Sequence, residues 1–228
     1  MKISIVIPAL NEAGPITRAV VSGWQSGAEE VIVVDGGSSD ETVSLASRLS
    51  ATVIQSRAGR AYQQNAGAKL ATGDVLLFLH ADSALGAGCC SQIARSLRSP
   101  KSLAGGFRQH IEAPTLPFRL LEYCNGMRIR WRRSAYGDQG IFCRRDVFWD
   151  LGGFAEEPLL EDVLLMERLA LRTKPILLPG PIYVSPRRWQ QKGVLRQTIL
   201  NWTILTRFWL GATPQELVRL YRRHDKTA

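Results

Sequence analysis

ISIVIPALNEAGPITRAVVSGWQSGAEEVIVVDGG, residues 3–37, holds two short apolar runs, ISIVI and VIVVD, on either side of a stretch with helical spacing. The runs are too apolar to alternate in the manner of a half-exposed strand. They predict strands at 3–7 and 31–35 whose two faces are both covered, with a helix at 15–24 between them. The same rhythm continues. SSDETVSLASRL predicts a helix opened by a Ser38–Glu41 capping box. ATVIQ (51–55) predicts a third strand, 59–71 a helix, and DVLLFLH (74–80) a fourth strand. Short apolar strands alternating with helices imply a parallel α/β sheet with helices on both faces.

The second half is less regular. Strands are expected at 103–111, at 139–144 on a sheet edge, and in the proline-punctuated stretch 175–184. Helices are expected at 116–130, 160–172, 194–210 and 214–223. The 228 residues show no repeat, low-complexity tract or linker, so one domain is expected throughout. Within it, 1–100 read as a regular α/β half, 101–189 as a less regular half, and 190–228 as a helical extension.

The net charge of +9 is unevenly distributed: residues 1–94 carry −2 and residues 95–228 carry +11. Such asymmetry suggests an anionic partner without naming it. No apolar stretch reaches the ~18 residues of a membrane span. The first run is too short for a signal peptide and lacks a cleavage site, so a cytoplasmic protein is expected. The four cysteines have no metal-ligand or redox spacing. Around VLRQTILNWTILTRFWL (194–210) apolar residues occur on nearly every side. That favours a helix packed on the core or on a second subunit over one lying on anionic lipid at the inner membrane.

In a parallel α/β sheet, ligands bind beyond the carboxyl ends of the strands. There the four strands deliver PALNE (8–12), Asp35 with Gly36 and Gly37, Arg57 with Gly59 and Arg60, and His80-Ala81-Asp82. Carboxylates, an arginine, an asparagine and tight glycine turns on one edge suit a nucleotide. Each also has a plain structural reading, as a helix cap, a turn former or a solvated charge.

PALNEA, VVDGGSSDET, GRAYQQNAGAKLATGDVLLFLHAD, LGGF and LEDVLLMERL, in that order, resemble the motif set of family 2 glycosyltransferases. The resemblance runs from residue 2 to about residue 189. FLHAD, where relatives read Asp-x-Asp, is most similar to a small bacterial subgroup described as arsenosugar-biosynthesis or radical-SAM-associated transferases. The resemblance implies a GT-A fold: a Rossmann-like, mostly parallel central sheet with helices on both faces, plus C-terminal helices. It implies an inverting transfer from a nucleoside diphosphate sugar to an acceptor hydroxyl of unknown identity, assisted by Mn²⁺ or Mg²⁺.

By the same resemblance Asp82 is the metal-binding acid and His80 stands where the first acid would be. Pro8, Ala9, Asn11, Glu12, Asp35, Arg60, Asn65, Ala81, Asp82, Arg188 and Trp189 are the residues expected at the nucleotide sugar. Asp162 is the expected base, with Glu161 beside it and Asp138 as the second candidate. Ser185 replaces the glutamine of the Gln-x-x-Arg-Trp motif of processive relatives, which argues against a polysaccharide synthase. Three other readings compete. A nucleic-acid-binding protein would use the basic half, but lacks a binding signature. A dinucleotide or methyl-donor enzyme would need a glycine-rich turn after the first strand. A relative without catalysis is suggested by His80 alone.

Overall fold

The computed structural model describes residues 1–225, with side chains to 221. Residues 226–228 of the expected C-terminal extension lie outside the described residues. The first seven elements follow the apolar runs: β1 (Ile3–Ala9), α1 (Ala13–Gln25), β2 (Glu30–Asp35), α2 (Thr42–Ser47), β3 (Thr52–Gln55), α3 (Arg60–Leu70) and β4 (Val75–Phe78). Then come β5 (Ser83–Leu85), α4 (Cys89–Ser96), β6 (Ala104–Ile111) and α5 (Leu116–Arg132). One 3-10 turn, Gly137–Gln139, precedes β7 (Phe142–Arg144), α6 (Arg145–Asp150), α7 (Glu161–Arg172) and β8 (Ile176–Val184). Three helices close the described chain: α8 (Arg187–Lys192), α9 (Val194–Trp209) and α10 (Pro214–Asp225).

The strands form one sheet in the order β3-β2-β1-β4-β7-β6-β8-β5. β1 pairs in parallel with both β2 and β4, Val6 standing opposite Ile32 on one side and Phe78 on the other. Successive side chains on a strand point to opposite faces, so each strand feeds two cores. Ile5, Ile7, Val33 and Leu77 join Ile16 and Val20 of α1 on one face. Val6, Ile32, Val34, Leu76 and Phe78 join Phe148, Phe154 and Leu165 on the other. All seven residues of β1 are buried, which is why its sequence does not alternate. Gly67 lets α3 lie close on this sheet, since a Cβ there would sit 2.4 Å from a Val6 methyl.

Two sequence expectations fail here. β7, expected at an edge, lies inside the sheet, antiparallel to both β4 and β6, with Cys143 opposite Leu76 and Ala104. The Ser38–Glu41 capping box does not form. The Asp35 carboxylate accepts the Ser38 N–H at 3.1 Å, the Ser38 hydroxyl accepts the Asn11 N–H at 2.9 Å, and α2 begins at Thr42, whose N–H donates to Asp40. α9 is only half packed. Leu200, Ile204 and Leu205 meet Leu160, Val163 and Leu217 in a third, smaller cluster, while its outer side remains exposed.

Beside β1 the chain reverses its progress across the sheet: β2 and β3 lie on one side, β4 on the other. The loops leaving β1 and β4 therefore diverge and leave a crevice at their carboxyl ends.

Candidate active site

That crevice is a cavity of about 500 Å³. β1 contributes Pro8 and Ala9, and Glu12 follows. The turn after β4 contributes His80, Ala81 and Asp82. Arg60 enters from the first turn of α3, and Arg187 and Arg188 from α8. A second cavity of about 910 Å³ shares Arg60, His80, Asp82 and Arg188 with the first. It adds Tyr136, Asp138, Glu161, Asp162, Ser185 and Trp189, and is walled by Gln197, Asn201 and Ile204 of α9 and by Val218 and Tyr221 of α10. The two cavities are thus neighbours with a shared wall.

His80 and Asp82 follow the end of β4. Burial, aided by the positive charges of Arg60 and Arg188, lowers the pKa of His80 well below the ordinary 6.5, so the imidazole is neutral at neutral pH. Gly137 leaves room for the ring: a Cβ at that position would lie 2.5 Å from His80 Nε2. Asp82 lines both cavities, and among the described residues no hydrogen bond or ion pair engages its carboxylate. Among the described residues no three or more His, Cys, Asp and Glu side chains are grouped so that they alone could hold a metal ion. A carboxylate beside a neutral imidazole fits a divalent cation that takes its remaining ligands from a bound diphosphate and water.

Glu161 and Asp162 open α7 on the far side. Burial and the Asp162 charge push Glu161 up to about 7, against the opposing pull of Arg60, whose guanidinium stands 4.0 Å away. Asp162 is held by backbone donors: its Oδ2 accepts the Gly137 N–H at 2.7 Å and its Oδ1 accepts the Val163 N–H at 2.8 Å. Asp138 also faces the second cavity, and burial raises its carboxyl pKa despite Arg128. Glu12 is raised by burial too, opposed by Arg187 at 3.3 Å.

Three residues expected at the nucleotide do not line either cavity. Asp35 is buried and turned onto the N–H groups of Gly37 and Ser38. The Asn11 side chain accepts the Ser39 N–H at 2.9 Å. Asn65 clamps the Gly-Gly-Phe loop, donating to the Phe154 carbonyl and accepting the Phe154 N–H, both at 2.9 Å. Trp189 lies at the second cavity, edge-on to Phe118 at 6.0 Å between ring centres. Arg187 and Lys192, absent from the sequence expectation, reach the first cavity from α8; the density of basic residues in RRWQQK was the available signal. Gly137 was signalled only by YGDQG, whose partner His80 lies far away in sequence.

Residues 4–152 match the family described as Glycosyl transferase family 2. Over 218 residues the chain is 29% identical to a PGL/p-HBAD biosynthesis glycosyltransferase of Mycobacterium tuberculosis, covering 90% of this chain and 82% of that one. It superposes on the S. aureus TarS 1-349 structure with a TM-score of 0.66 at 22% identity, covering 86% of this chain and 64% of the TarS chain. The likeness extends to TarS 1-349 in complex with UDP-GlcNAc, with a TM-score of 0.64 at 21% identity over 81% of this chain and 58% of that one. The Pyrobaculum calidifontis mannosyltransferase PcManGT, in complex with GDP-Man and Mn²⁺, gives 0.58 at 18% identity over 78% of this chain and 55% of that one. At these identities the structures establish the fold, a GT-A arrangement of a mostly parallel sheet and flanking helices. With a family match over more than half its length, the chain belongs to glycosyl transferase family 2.

Proposed function

We propose that the protein moves a sugar from a nucleoside diphosphate donor to an acceptor hydroxyl with inversion at the transferred carbon. The observation that carries this is the shared wall: Arg60, His80, Asp82 and Arg188 face both cavities, so a donor in one presents its reacting carbon to an acceptor in the other. Arg60, Arg187, Arg188 and Lys192 give the first cavity the positive charge a diphosphate requires. Asp82, with His80, would hold a Mn²⁺ or Mg²⁺ ion, which offsets the charge arising on the departing diphosphate.

In this reading Asp162 takes the proton of the acceptor hydroxyl. The acceptor oxygen bonds to the sugar carbon as the bond to the diphosphate breaks, and the nucleoside diphosphate leaves. The two backbone N–H groups on Asp162 fix its orientation. Glu161, raised by burial and by Asp162, keeps the pair from carrying two full charges at neutral pH. The division into a nucleotide-binding half (1–100), an acceptor and catalytic half (101–189) and a helical extension is part of the same proposal. So is placement near the arsenosugar-biosynthesis or radical-SAM-associated subgroup, which rests on His80.

Thermal denaturation with UDP, GDP and dTDP, with and without Mn²⁺, tests this. A ligand at a hundred times its Kd stabilises the folded state by about 2.7 kcal/mol. One diphosphate should stabilise the protein, and Mn²⁺ should enlarge the effect. Asp82→Ala should lose the Mn²⁺ increment and His80→Asp should keep it. Absence of stabilisation by any diphosphate, with or without metal, would refute the proposal.

A further inference from the structure

α9 has two unlike faces. Gln197, Asn201, Ile204 and Leu205 turn inward to the second cavity. On the opposite side Leu195, Ile199, Trp202 and Trp209 are 79%, 63%, 68% and 47% exposed, and Leu210 follows at 82%. At 3.6 residues per turn these five fall within an arc of roughly 100°. Arg196 and Arg207 lie together along one edge of that arc. At its C-terminal end the Arg132 guanidinium of α5 lies 4.4 Å over the Trp209 ring. That contact brings exposed Trp131, with Arg130 and Arg133, alongside. From Arg187 to Thr213 the chain has five basic residues and no acidic one.

A contiguous apolar surface of this kind marks a place of contact. Its charge selects among occupants. A second copy docked antiparallel about a two-fold axis would bring the arginine-bearing edges of the two helices together, with no acid on α9 between them. A nucleic acid would satisfy the arginines and leave Leu195, Ile199 and Leu210 against phosphate. Anionic lipid satisfies both: aliphatic and indole groups enter the boundary between headgroups and chains, and guanidinium groups meet phosphates.

We propose that the outer face of α9, extended by the tip of α5, docks in the plane of an anionic phospholipid surface. No helix of the described residues is long and apolar enough to cross a membrane, so the helix lies on it.

Flotation of the full chain with vesicles of phosphatidylcholine, with and without 30 mol% phosphatidylglycerol, tests this. The protein should float with the anionic vesicles and at least tenfold less with the neutral ones, and high salt should release it. Ile199→Gln with Trp202→Gln should abolish flotation at an unchanged melting temperature, since both side chains are exposed and line neither cavity. Arg196→Gln and Arg207→Gln should each weaken binding about fivefold, the equivalent of ~1 kcal/mol per charge at such a surface. Three results would overturn the proposal: no flotation of a monomer, no flotation of a dimer that the Ile199/Trp202 variant dissociates, and flotation that this variant leaves intact.

Discussion

Replacing Glu161 by glutamine should make the protein more stable above neutral pH, and the gain should vanish in acid. The residue is only 6% exposed, and its carboxyl is pushed from 4.5 to about 7 by burial and by Asp162, with Arg60 opposing. Between these two values the folded protein keeps a proton that the unfolded chain has released. The unfolded state therefore binds fewer protons, and stability falls as pH rises through that window. At ~1.4 kcal/mol per pH unit the gap is worth ~3 kcal/mol, lost by pH 8 and fully retained below pH 4.5. Glutamine removes the titration and keeps the shape. What it loses is the 4.0 Å pair with Arg60, whose half-exposed side chain makes that pair worth little. For a chain of this size the expected rise in Tm at pH 8 is roughly 6–12 °C. Melting curves of parent and variant from pH 5 to 8.5 should lie together at the acid end and separate toward pH 8. A constant offset at every pH, or a variant less stable at pH 8, would refute the account of Glu161 as a carboxyl charged against its surroundings.

Asp162→Asn should lower transfer by roughly 10²- to 10⁴-fold, the usual worth of a positioned base, with donor affinity near normal; loss in Asp138→Asn instead would move the role to the Gly137–Gln139 turn. Gly137→Ala places a methyl 2.5 Å from His80 Nε2, so the ring must shift. The Mn²⁺ increment in diphosphate stabilisation should shrink, while the melting temperature without ligand falls by the equivalent of about 1–3 kcal/mol.

The first four strands were legible because each is one uninterrupted apolar run, and burial on both faces leaves no other reading for runs so short. β5 and α4 were not. Ser83–Leu85 is three residues long and exists by pairing with β8, about a hundred residues on. β7 carries an ordinary edge-strand sequence; its insertion between β4 and β6 is decided by long-range pairing that leaves no local mark. Much of the candidate site was visible as residue types gathered at strand ends. Which of them line a cavity was not. Asp35 and Asn65 have the chemistry of binding residues, and the fold spends both on backbone groups. α8 and the inner face of α9 were hidden for the opposite reason, since a basic or apolar helix does not announce what lies beneath it.

The Asn65 clamp bears on how such a chain can change. Arg168 of α7 reinforces it, donating to the carbonyls of Leu151 and Gly153. At the other end the Gly137 N–H fixes Asp162. Between these anchors residues 155–160 form a short connecting span, seated by Leu159 and Leu160 on the third cluster, and Glu156, Glu157, Pro158 and Leu159 form part of the wall of the larger cavity. Loops with fixed ends tolerate insertion and replacement far better than the elements they join. Descendants of this chain can therefore recut the shape of that wall at Glu156, Glu157 and Pro158, while the clamp shields Glu161, Asp162 and the sheet from the change. Selectivity for what enters the larger cavity and the power to act on it are inherited separately.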